Sequence, residues 1–239
     1  MENKKKHSAK AAQNARENKI KARNQKIVQH RIAILILIAV IILVIAAIVA
    51  VVKFSGWFDK IPDQSTLTIS DDGKVICEEL TDFAEDYSRS ELKTYMKEEI
   101  KEYNDTNGKD SVKLDKIKFY SDLAHAKTTY ASAEDYSKFT GYGLYTGTIK
   151  SAVKQGFDFS DAFVSVTDGE KGTSVDTLDI TSQKKLKVAI IKENINVTVD
   201  GTILYVSDAC TTMVDKSTVS IEQPDGNEDA TQLTYIIYK

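Results

Sequence analysis

Beyond residue 52 the chain holds a single His (His125), a single Arg (Arg89) and two Cys (Cys77 and Cys210). That inventory limits the chemistry at once. A zinc site takes three or four His, Cys or carboxylate ligands at set spacings, whereas His125 stands alone in the alternating run LAHAKTTY and reads as an ordinary strand residue. No metal and no cofactor is expected. A nucleophilic thiol needs an adjacent base or cation. Cys210 sits in SDACTTM, with no Arg after it. Cys77 and Cys210 are instead candidates for a disulfide, which persists in exported domains. Two buried free thiols are the alternative.

Ser-x-x-Lys places a Lys amine one helical turn from a Ser hydroxyl, and it occurs at Ser90–Lys93, Ser151–Lys154 and Ser182–Lys185. The Ser-x-Asn and Lys-Thr-Gly elements that complete such a centre are absent from the sequence. Carboxylates are plentiful, as in EELTDFAED (Glu78–Asp86). A glycosidase needs two, held across a cleft, but sequence cannot choose a pair from so many. DTNGKD (Asp105–Asp110) has part of a calcium-loop pattern, yet its first and twelfth positions are Tyr103 and Leu114, where the loop needs acidic ligands. A helix exit is the better reading. Asn104-Asp-Thr and Asn196-Val-Thr fit glycosylation acceptors.

Aromatic residues are the remaining candidates. YSKFTGYGLYTG gathers Tyr136, Phe139, Tyr142 and Tyr145 around two glycines. Exposed, such rings stack on a sugar or a peptide. Packed inward, they are the usual furniture of a β-rich core.

The elements that must position these residues read as α+β with strands dominant. TLTISDDGKVICEEL is a hairpin about Asp72-Gly73, and INVTVDGTILYVS reads as a second about Asp200-Gly201. Asp168-Gly169 marks a further turn. DAFVSV, KLKVAII and LTYIIYK are strands, and VKLDKIKFY alternates with a phase break between Leu114 and Ile117 that predicts a bulge. Two or three helices interrupt. SRSELKTYMKEEIKEYNDTNG has a capping-box pair in Ser88 and Glu91, then Leu92, Met96, Ile100 and Tyr103 at helical spacing before Gly108. SAEDYSKF and GTIKSAVKQG are shorter helices, the first capped by Ser132. These elements predict an antiparallel or mixed sheet with helices on one side.

Upstream, Ile32–Val52 is 21 residues without charge, Gly or Pro. At ~1.5 Å per residue this spans ~30 Å, the thickness of a bilayer core. A secretory signal has a shorter apolar region and a small-residue cleavage site, and no Ala-x-Ala follows here. The stretch reads as a retained transmembrane helix. Residues 1–31 carry ten Lys or Arg against two Glu, whereas the remainder carries 22 basic and 33 acidic residues. Basic flanks stay cytoplasmic, so the N-terminus is expected inside and the C-terminal region outside the plasma membrane. Arg31 and Lys53 bound the span, and Phe54, Trp57 and Phe58 suit the headgroup zone. The tail has no aromatic residue to stack on a base, so anionic lipid rather than nucleic acid is its expected partner.

The expected organisation is a basic cytoplasmic tail (1–31), a transmembrane helix (32–52), a spacer (53–65) and an extracytoplasmic α+β domain (66–239). At LTDFAEDYSRSELKTYMKEEIKEYN, YASAEDYSKFTG and ILYVSDACTTMVDKSTVSI the outer region resembles a group of exported lipoproteins of Gram-positive, clostridial-type bacteria. Those proteins usually begin with a lipid-attachment Cys, in place of which this chain has its helical anchor. The resemblance implies display on the cell envelope and no particular activity.

With no complete catalytic set, the sequence favours a single-pass envelope protein presenting a binding or interaction module for a cell-wall or protein ligand over an enzyme. The alternatives are a membrane-tethered hydrolase using carboxylates and an accessory subunit of an envelope complex.

Overall fold

The computed structural model describes residues 62–82, 88–120, 123–222 and 232–239. The basic tail, the apolar span, the interface positions Arg31, Lys53, Phe54, Trp57 and Phe58, and most of the spacer lie outside the described residues. No helix among the described residues is long and apolar enough to cross a membrane. The described residues belong to one unit, Ile61–Lys239.

The unit is α+β, with two sheets where the sequence suggested one. The first contains β1 (Thr66–Ile69), β2 (Val75–Asp82), β3 (Val112–Tyr120), β4 (Leu123–Tyr130), β9 (Asn196–Val199), β11 (Thr211–Met213) and β12 (Thr218–Ile221), in the order β11-β12-β9-β1-β2-β4-β3. The second contains β5 (Gly143–Thr148), β6 (Phe163–Thr167), β7 (Glu170–Val175), β8 (Lys187–Lys192), β10 (Ile203–Ser207) and β13 (Thr234–Tyr238), in the order β5-β8-β13-β10-β6-β7. All neighbours are antiparallel except β1 and β9.

Two of the three Asp-Gly turns close hairpins as expected, β1–β2 at Asp72-Gly73 and β6–β7 at Asp168-Gly169. The third does not. β9 pairs with β1 and β12, and β10 pairs with β13 and β6, so the Asp200-Gly201 turn carries the chain from one sheet to the other. Its glycine is needed for closeness rather than for a left-handed φ. A Cβ on Gly201 would collide with the carbonyl of Lys239. The predicted break in β3 is a register shift between Leu114 and Lys116 against β4.

Alternation explains the core. Leu67, Ile69, Val197, Val199 and Val219 of the first sheet cluster with Ala189, Ile191, Ile203, Val206 and Ile236 of the second in one apolar core. β8 and β13 are continuous apolar runs because both of their faces are buried. Their other side chains, Val188, Ile190, Tyr235 and Ile237, pack under two short helices, α3 (Ile149–Lys154) and α4 (Thr177–Ser182), the latter not foreseen from sequence. The helices therefore do not share one side. α1 (Arg89–Asn107) lies against β3, and α2 (Ala133–Thr140) bridges β4 and β5.

Candidate functional site

An apolar hollow forms where β2, β4 and β3 run beneath α1. The β4 sequence LAHAKTTY creates it. Residues opposite one another in an antiparallel pair share a face. Glu79, Ala126 and Ile117 therefore form one row across the three strands, and Thr81, Ala124 and Phe119 form the next. The central member of both rows is alanine, so the sheet dips where a larger side chain would meet the helix.

The helix is fastened at one end. Gly108 terminates α1 with a φ of 124°. Asn104 then grips β3 with both ends of its amide. Its Nδ2 donates to the Val112 carbonyl at 2.8 Å, and its Oδ1 accepts from the Val112 N–H at 2.9 Å. Ile100 is the one buried residue of α1. Tyr103 sets its ring edge-on to Phe139, 5.4 Å between centroids, and its hydroxyl donates to Asp135 at 3.1 Å. At the other end Arg89 sets its guanidinium over the Phe119 ring of β3, 5.7 Å from its centre. The expected capping box is not formed, and Ser88 Oγ pairs instead with Ser90 Oγ at 2.8 Å.

The result is a groove of about 620 Å³. Leu92 and Met96 form its helix wall, Ile117, Ala124 and Ala126 its floor, and Tyr95 stands at the side, 59 % exposed. Glu79, Asp82 and Glu91 also line it. Such a volume, apolar with a few polar groups, is that of a small-ligand site. Arg89 is engaged nearby, with its guanidinium 5.7 Å from the centre of the Phe119 ring.

A second carboxylate, which sequence did not single out, feels the charge of Glu79. Glu193, in the β8–β9 connection, accepts a hydrogen bond from the Tyr136 hydroxyl at 2.5 Å. Burial lifts its pKa to about 7, the Tyr136 bond opposes that rise, and the negative charge of Glu79 adds to it. The same buried, negative surroundings push up the Cys77 thiol and the Tyr130 and Tyr136 hydroxyls. Glu193 itself is not among the residues that line the groove.

On the opposite face of β4, His125 is 1 % exposed and its Nε2 lies 3.1 Å from Glu78 Oε2. Lys127 Nζ holds the other oxygen of Glu78 at 2.9 Å. His125 is thus an internal strand residue. No cluster of three metal-ligating side chains occurs among the described residues.

The aromatic candidates are dispersed. Tyr136 is in the core between the sheets, with Phe139 packed against that core. Tyr145 points to the other face of the second sheet, 4.7 Å from Phe157, where its ring lies over Gly147. Tyr142 is 48 % exposed. The four do not share a surface. Cys77 and Cys210 are free thiols, the first buried in β2 and the second half-buried in the β10–β11 turn. Asp105 pairs with Lys101 at 2.8 Å on the last turn of α1, so the DTNGKD segment is a helix exit. Asn104 is occupied by Val112, and Asn196 lies within a paired strand.

No family model matches the chain, and no curated protein or solved structure matches it.

Proposed function

We propose that the protein is a single-pass envelope protein whose Ile32–Val52 segment anchors it in the plasma membrane and whose α+β domain acts outside as a binding module. The observation that carries the binding part is the groove between α1 and β4. It has the volume of a ligand site, and it is bounded by Leu92, Met96 and Ile117 rather than filled by them. The anchor rests on the uncharged apolar run and the basic residues on one side of it.

Binding is tested on the full chain in lipid nanodiscs with 2-phenylethanol, an apolar-bodied probe, followed by saturation-transfer NMR against empty nanodiscs. Transfer to the probe, abolished by Ala126→Leu, is the expected result. Equal transfer with and without the protein overturns the binding reading. Anchoring is tested separately by adding protease to intact cells, where trimming of the C-terminal portion is expected. A chain recovered in the soluble fraction after a salt wash overturns it.

One observation favours a second reading, a tethered hydrolase working through carboxylates. Glu193 is held near neutrality close to the charge of Glu79, the pattern of an acid–base pair. Against it, the Glu193 carboxylate is already taken by Tyr136 and stands outside the groove lining. Hydrolysis of a substrate panel that is lost in Glu79→Gln, with binding retained, would move the assignment to this reading.

A further inference from the structure

The groove also carries a charge pattern that selects among ligands. Glu79 and Asp82 come from β2 and Glu91 from the first turn of α1, and all three line the same hollow as Leu92, Met96 and Ala126. Among the described residues no Lys, Arg or His lines it. Among the described residues none of the three carboxylates forms an ion pair, although Lys127, Lys113 and Lys101 each pair with acids elsewhere. The nearby cation, Arg89, is turned onto the Phe119 ring.

Three like charges around an apolar floor make a site that is attractive to a cation and repulsive to an anion. Partial exclusion of water strengthens both effects. The face of Tyr95, largely exposed at the side of the groove, offers a cation a second favourable contact. Among the described residues these carboxylates do not gather into a set that could hold a metal ion, which needs several oxygen ligands converging at once. An apolar body carrying an ammonium group fits both parts of the lining.

Building on the binding reading above, we infer that the groove between α1 and β4 takes a small organic cation, an apolar body ending in an ammonium group. The body lies on Ala124, Ala126 and Ile117, and the ammonium faces Glu79, Asp82 and Glu91.

The test uses the full chain in lipid nanodiscs and three probes that share a phenyl ring and a short linker: phenethylammonium, 2-phenylethanol and 3-phenylpropionate. Affinities are read by saturation-transfer NMR titration at low and high salt, with empty nanodiscs subtracted. The expected result is at least about tenfold tighter binding of the ammonium than of the alcohol, and no binding of the carboxylate. The gap narrows as salt rises, because the carboxylates are partly exposed. Glu79→Gln with Glu91→Gln brings the ammonium down to the affinity of the alcohol, and the alcohol is unaffected. Ala126→Leu abolishes binding of both. Should that variant fail to fold by circular dichroism, Ala124→Val serves the same purpose. Equal affinities for ammonium and alcohol, insensitive to salt and to the Gln substitutions, overturn the charge selection and leave the binding module standing. Tighter binding of the carboxylate does the same. Absence of binding by all three probes removes the binding reading together with this one.

Discussion

The Tyr136 hydroxyl donates to the Glu193 carboxylate at 2.5 Å, joining α2 to the β8–β9 connection. This bond holds a buried acid that also feels the negative charge of Glu79. The sign of its effect on stability follows from the direction of the shift. Glu193 ionises near 4.5 in the absence of the fold and near 7 within it. Between those values the folded chain holds a proton that the unfolded chain has released. Its contribution is therefore greatest below about pH 4.5, falls as pH rises toward 7, and is lost above that.

Glu193→Gln keeps an acceptor for Tyr136 and removes the titration. Thermal melts of the two proteins should diverge between pH 5 and pH 8, with wild type losing stability across that window relative to the variant. Parallel pH profiles would show that Glu193 does not titrate there.

Asn104→Ala removes both hydrogen bonds to Val112 and leaves that backbone pair with half-buried, unsatisfied groups. A loss of about 1–3 kcal/mol is expected from denaturant unfolding. The C-terminal turns of α1 should also lose amide protection in hydrogen exchange. Unchanged exchange would mean that Ile100 and Tyr103 alone hold the helix.

The two cysteines should differ in reactivity. Cys77 is buried and its thiol is pushed up by burial and by the charges of Glu79 and Glu193, whereas Cys210 is half-buried in a turn at a φ of 63°. A thiol reagent should modify one site rapidly in the native protein and two after denaturation. No reaction in either state would reveal a disulfide between them.

Ile237→Ala cuts into the strand that is buried on both faces, and should cost about 2–5 kcal/mol. Leu178→Ala, at a position 76 % exposed on α4, should cost under about 0.5 kcal/mol. Equal effects on the urea midpoint would contradict the layer assigned to α3 and α4.

Local physics made much of the chain legible in advance. Ser132 at the start of α2 accepts from the Asp135 N–H, Gly108 ends α1, and period-two alternation marks β2, β9 and the β3 break. Each depends on residues within a few positions of one another. The apolar run Ile32–Val52 with its one-sided basic flank is equally local, and it remains the basis of the membrane proposal.

What a strand pairs with is a different kind of question. INVTVDGTILYVS has the residues of a hairpin, but β9 gains a parallel partner in β1 and β10 gains β13, and these non-local pairings outcompete the turn. The same holds for the aromatic group. Tyr136 and Tyr145 are nine residues apart, yet they face two different cores, because β8 and β13 are covered on both sides. The groove is the extreme case. Ala124 and Ala126 become a floor when Glu79, Ile117 and an α1 fastened at Asn104 are brought around them. Composition and spacing encode short-range preferences, whereas an empty volume exists only as the difference between elements packed from distant parts of the chain.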